Sequence, residues 1–274
     1  MKRNLMAAAL ALCVLICSEC SSANDPWPEY QKHLQHYYFL SEQPFEVSEC
    51  QVVLPDFEKA INEQAKRMKE STNGGAELKS NLSNFTLMYS KAGGLSFNEP
   101  KLELIVTSEE GIKDRQKFET EKQLLANGFN QTVRGAVQTI SSIFNDYIKP
   151  DRNRISLTYA KVSGDKSEAK YTQDGMQITE VCENKRCTTS GKSDQAEFHG
   201  EQDYENIGDK LILKSLTATI KQPNSEIHVK TDITYQKIKD ITFPENITSA
   251  VKMQGPDSNM EGSFVIHLKD VQVR

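Results

Sequence analysis

The sequence predicts an α+β fold: one curved antiparallel sheet with a long helix lying against part of its inner face. Three observations predict it. From Arg154 to the C-terminus, segment after segment alternates apolar and polar residues between short polar connections, the period-two pattern of half-buried antiparallel strands. Between Asn130 and Tyr147, apolar residues instead step by threes and fours, the mark of an amphipathic helix that buries one stripe. Asp174-Gly175 stands between two of the alternating segments, where a two-residue hairpin turn needs residues tolerant of positive φ.

The elements follow in order. Residues 24–54 form an N-terminal extension, with Pro26, Pro28 and Pro44 around the aromatic-rich HLQHYYFL. A short helix is expected from about Tyr30 to Leu40, and FEVSECQVVL, 45–54, reads as a strand. A single domain is expected over 55–274. Pro55 and Asp56 open its first helix, Phe57, Ile61, Ala65 and Met68 recur at helical spacing, and Gly74-Gly75 ends it. Phe85, Leu87 and Tyr89 then alternate with polar residues, as do Leu102, Leu104 and Val106 beyond the Gly93-Gly94 turn. A helical insertion is expected at about 112–148. Its charged start, EEGIKDRQKFETEK, reads as a loop or solvated helix, and Asn127-Gly128 and Pro150 bracket the apolar stripe of Val133, Val137, Ile140, Phe144 and Tyr147. Beyond it, Ile155, Leu157 and Tyr159 share a face, Met176 and Ile178 lead to Cys182, and Ile227, Val229, Ile233 and Tyr235 share another face. Eight to ten strands in a meander are expected from Arg154 onward.

The chain opens MKRNLMAAALALCVLICSECSSAND, with two cations, a 13-residue apolar run from Leu5 to Cys17, then small polar residues. This is the three-part pattern of a secretory signal peptide over residues 1–23. The run is short for a bilayer span of roughly 20 residues, so an uncleaved anchor is the weaker alternative. Lipid anchoring at Cys17 or Cys20 fits less well, because it needs a small residue before the cysteine and Ile16 and Glu19 stand there. The expected location is exported, periplasmic or associated with the outer envelope. Removing Lys2, Arg3 and Glu19 with the leader takes the formal net charge from -5 to -6, which argues against nucleic acid as partner. No transmembrane span is expected in the mature chain, and its oligomeric state is not encoded in any pattern here.

After the leader, Cys50, Cys182 and Cys187 remain. In an oxidising compartment a disulfide between Cys182 and Cys187, across a hairpin closed by Glu183-Asn184-Lys185-Arg186, is the first reading; unpaired thiols and metal or redox chemistry are the others. A zinc site needs two more ligands, which the neighbouring sequence does not supply. His33 and His36 could share a helical face as ligands, but without a nearby acid they read as surface or half-buried histidines. Cys50 reads as a small buried hydrophobe. Gly191-Lys192-Ser193 lacks the upstream glycine of a phosphate loop, and no G-x-S-x-G, H-E-x-x-H or calcium loop occurs. No enzyme activity, cofactor or metal is expected. A hydrolase would need a pocket gathering His and carboxylate side chains that are distant in sequence.

The segment YENIGDKLILKSLTATIKQPNSEIHVKTDITYQKIKDITFPENI, 204–247, resembles the lipoprotein-carrier superfamily of bacterial envelopes (LolA/LppX/RseB-like). The resemblance, one of pattern over about residues 55–250, implies an incomplete β-barrel with helices packed on its concave face and an apolar cavity for acyl chains. The chain departs from that pattern in its long helical stretch and in the Cys182/Cys187 pair. The function expected is therefore an exported carrier or sensor that binds lipid or an acylated protein. The candidate cavity residues are Phe85, Leu87, Tyr89, Leu102, Leu104, Val133, Val137, Ile140, Phe144, Ile155, Leu157, Tyr159, Ile233 and Tyr235. Enclosing an acyl chain there gains roughly 25 cal/mol per Å² of apolar surface removed from water. If helix and sheet touch closely, the same residues are core. The other reading of function is an exported protein-interaction or scaffold domain without ligand.

Overall fold

A computed structural model of the protein describes residues 25–108, 112–173, 175–256 and 259–274. The expected signal peptide, with Cys17 and Cys20, lies outside the described residues, as does Asp174. Three α-helices are present among the described residues: α1 (Trp27–Leu34), α2 (Pro55–Ser71) and α3 (Arg115–Asp146). The strands are β1 (Val47–Val53), β2 (Ala76–Ser80), β3 (Thr86–Ser90), β4 (Gly94–Asn98), β5 (Leu102–Val106), β6 (Ser156–Ser163), β7 (Lys166–Gln173), β8 (Met176–Glu183) and β9 (Arg186–Lys192). They continue with β10 (Glu197–Ile207), β11 (Lys210–Gln222), β12 (Ser225–Ile238), β13 (Ile241–Gln254) and β14 (Asn259–Val273).

Twelve strands make one antiparallel sheet in the order β4-β3-β1-β14-β13-β12-β11-β10-β9-β8-β7-β6, while β2 and β5 form a separate ribbon. The stretch from β6 to β14 is the expected meander. The strand of the N-terminal extension, β1, lies inside the sheet between β3 and β14, with Cys50 opposite Leu87 and Val52 opposite Leu268.

The expectation of a curved, incomplete barrel with helices packed on its concave face is overturned. The molecule is mostly strand, in a single open layer whose edge strands β4 and β6 do not meet. The physical reason is supply: the buried side chains of the helices go into two separate clusters and do not plug one hollow. The larger cluster joins Ile61 and Met68 of α2 and Phe118, Phe129, Val133, Ile140 and Phe144 of α3 to Leu87, Tyr89, Phe243, Ile247, Ile266 and Leu268 of the sheet. The smaller one joins Trp27, Tyr30, Leu34 and Tyr37 to Ile155, Ala169, Cys182 and Cys187.

Three local expectations change as well. α3 does not begin after Asn127-Gly128 but runs through them from Arg115, capped by the Asp114 carboxylate, which accepts from Lys117 N–H at 3.0 Å. Burial of Phe118 and Phe129 outweighs the cost of about 1 kcal/mol for a mid-helix glycine. The first helix ends at Leu34, and Tyr37 then bridges Leu211 in parallel. In the β8–β9 hairpin Glu183 pairs with Arg186, so the turn is the two residues Asn184-Lys185, with Asn184 at φ 54°, a value asparagine tolerates.

Candidate functional site

α1 exists because Pro26 and Pro28 set its first turn and because Trp27, Tyr30, His33, Leu34 and Tyr37 recur on one face. That face meets β6 to β11. Along β7 the alternating residues Ser167, Ala169 and Tyr171 point to it, and along β8 so do Glu180 and Cys182. The chain after α1 is then tied to β11: Tyr38 N–H donates to Leu211 C=O and Leu211 N–H to His36 C=O, both at 2.8 Å.

Between α1, the last turn of α3 and strands β7 to β11 lies a hollow of about 150 Å³. Its walls include Tyr30, Tyr37, Tyr171, Tyr204, Asp146 and Glu180. The rings form a connected set: Tyr30 to Tyr171 at 6.4 Å, Tyr37 to Tyr204 at 5.0 Å, His33 to Tyr37 at 4.8 Å between centroids. Tyr171 Oη donates to Glu180 Oε2 at 3.5 Å. Burial pushes the phenols of Tyr30, Tyr37, Tyr171 and Tyr204 well up, so they stay neutral donors.

Asp146 is the group least at ease there. It is the last residue of α3, where the helix dipole presents its negative end. No hydrogen bond or ion pair reaches its carboxyl among the described residues. Asp146 lines the hollow as an exposed residue, and desolvation by the protein around it, with the charge of Glu180 added, raises its carboxyl pKa to about 7. Arg154 also lines the hollow, but its guanidinium donates to Asn145 Oδ1 at 3.1 Å.

His33 stands on the far wall. Ser167 Oγ lies 2.8 Å from its Nδ1, Glu180 Oε1 3.3 Å from its Nε2 and Cys182 Sγ 3.9 Å from the same nitrogen. Cys182 and Cys187, directly opposite across the hairpin, are joined by a disulfide, and Tyr37 Oη lies 3.2 Å from Cys187 Sγ. Cys187 lines the first hollow, and Cys182 lines a second of about 360 Å³ with Ser167 and His36. His33 and Tyr37 line both. The disulfide, His33 and Tyr37 are thus the partition between two hollows.

The residues expected to line an acyl cavity lie elsewhere. Phe85, Leu87, Tyr89, Val133, Ile140, Phe144 and Ile233 are buried in the larger cluster, with Leu102, Leu104, Val137 and Tyr235 packed at its edge. Ile155 is buried in the smaller cluster, Leu157 packs on it, and Tyr159 is 37% exposed with Lys170 Nζ 5.3 Å from its ring centre. Of these, Ile155 alone lines the tyrosine hollow. Leu102 and Leu104 belong to the separate β2–β5 ribbon. Sequence reasoning missed Tyr30, Asp146, Tyr171, Glu180 and Tyr204, and it weighed His33 only together with His36, as a surface or half-buried histidine, where the structure buries it beside Glu180. One signal was present: Glu180 occupies the same strand face as Ile178 and Cys182, where a charged residue breaks an otherwise apolar pattern.

No family model, curated protein or solved structure matches this chain. The resemblance to the lipoprotein carriers gains nothing from them, and function rests on the site.

Proposed function

We propose that the protein is a binding domain for a small organic cation, an amine or quaternary ammonium with an apolar body, held in the tyrosine hollow with Asp146 as counter-ion. With the exported route expected from the leader, its role is that of a carrier or sensor without catalysis. The observation that carries the reading is the unpartnered Asp146 carboxyl at the C-terminal end of α3, facing a hollow walled by tyrosine rings. A cation supplies the missing charge, and the ring faces attract it by roughly 0.5–2 kcal/mol each. The size fits: a cavity near 150 Å³ holds a ligand about as large as benzene, smaller than the drug-sized ligands of most pockets.

Calorimetric titration with tetramethylammonium, choline and benzylamine, beside the neutral isostere of choline, tests this. The expected result is binding of at least one cation, about tenfold weaker for the neutral isostere and for Asp146→Asn. It should also tighten about tenfold from pH 5.5 to 8.5 as Asp146 ionises. Equal binding of neutral and charged probes, or none of either, overturns the reading.

A second reading keeps a single acyl chain as ligand but moves it to a groove of about 390 Å³ between α2 and α3. There Phe57, Ile61, Leu125 and Phe129 surround Leu124, which is 66% exposed. A fluorescent fatty acid displaced by Leu124→Asp would favour it, and no binding by the unaltered chain would remove it.

A further inference from the structure

We infer that the partition between the two hollows is a latent zinc site, closed while Cys182 and Cys187 are joined and opened by reduction. This goes beyond the cation reading and does not depend on it. His33 Nε2, a Glu180 carboxylate oxygen and Cys182 Sγ all lie within 4.8 Å of one another. On tetrahedral zinc, with bonds near 2.0 Å to nitrogen and oxygen and 2.3 Å to sulfur, ligand atoms stand roughly 3.3 Å apart for the N–O pair and 3.6 Å for the N–S pair. The corresponding separations here are 3.3 Å and 3.9 Å, so these two pairs need almost no movement.

The fourth ligand is Cys187. Joined to Cys182 in the disulfide, it must swing out to roughly 3.8 Å from its partner to share a zinc ion. A side-chain rotation on a strand achieves that, and the hollow on its side gives it room. The orienting shell is present too. Zinc on Nε2 requires the proton on Nδ1, where Ser167 Oγ stands at 2.8 Å to accept it, the support that metal-bound imidazoles have as a rule. Four donors of two thiolates, an imidazole and a carboxylate suit zinc more than calcium or magnesium.

The chemistry balances with a dithiol as reductant. The protein disulfide takes two electrons and two protons from the dithiol, which becomes a cyclic disulfide, giving two protein thiols. Zinc then displaces one proton from each thiol as the two Zn–S bonds form, so binding weakens as pH falls. Oxidation expels the metal and restores the staple.

The test uses the full chain, reduced with dithiothreitol, freed of reductant without air, and titrated with cobalt(II) as a spectroscopic stand-in for zinc. The expected result is a near-ultraviolet thiolate-to-cobalt band that saturates at one equivalent and is abolished by one equivalent of zinc. The oxidised protein and the Cys182→Ser/Cys187→Ser variant should lack it, the latter showing that no other thiol produces it. His33→Gln and Glu180→Gln should each weaken binding at least tenfold, and Ser167→Ala by less. Absence of the band, or a band indifferent to His33 and Glu180, overturns the inference. So does a reduced chain whose circular dichroism collapses and is not restored by zinc.

Discussion

The two halves of the sheet are covered in different ways. Over β1, β3, β13 and β14 lies α3, whose 32 residues span about 48 Å, and the space beneath it is filled by rings and branched chains such as Phe144 against Tyr89 and Phe243. Over β6 to β11 lies α1, with 8 residues and about 12 Å of length. So short a helix cannot supply an apolar stripe across that many strands. Tyrosines, one histidine, two carboxyls and a disulfide take the remaining space, and hollows are left between them. The comparison teaches that chemistry collects where the covering layer is thin.

The sharpest way to break the contrast is to damage the well-packed half. Phe144→Ala removes a fully buried ring and should cost about 3–5 kcal/mol, read as a lower urea midpoint with unchanged slope. The thin half rests more on its covalent staple. Cys182→Ser/Cys187→Ser opens a loop of sequence separation 5 and should cost about 2 kcal/mol on loop-closure grounds, with near-native circular dichroism.

The third change has the opposite sign. The folded-state pKa of Asp146 lies at about 7, above its usual 3.8, so the folded chain holds the proton more tightly and stability falls as pH rises through that window. Asp146→Asn should raise the melting temperature by about 2–4 °C at pH 8 and change it little at pH 3.5. A lower melting temperature at pH 8 would mean that the ionised carboxylate has a partner. The smallest effect is expected at the seam. There Tyr147 Oη and Tyr235 Oη are hydrogen-bonded and Tyr235 Oη donates to Leu213 C=O. Tyr235→Phe should cost about 1 kcal/mol, and no measurable change would show that water replaces the hydroxyl.

Much of the thick half could be read from residue order. Val133, Ile140 and Phe144 declare a buried stripe because helical period and burial coincide there, and the alternation from β6 to β14 declares a meander. The stapled hairpin was legible because Cys182 and Cys187 flank polar residues that suit a turn. Alternation states which face is apolar but not how far a sheet curls, so the layer's openness was not legible. Nor was the start of α3, since Gly128 and the surrounding charges look like a boundary until Phe118 and Phe129 find their tertiary partners. The site was hidden for another reason. Tyr30, His33, Asp146 and Glu180 come from three separate elements, and no local spacing announces that the fold will bring them together.

The place of β1 has a consequence for how the chain is made. Ser48 pairs with Val273, so β1 waits for one of its neighbours until β14, more than 200 residues later in the chain, has emerged. Until β14 is made, β1, β3 and β4 present an open edge able to recruit foreign strands.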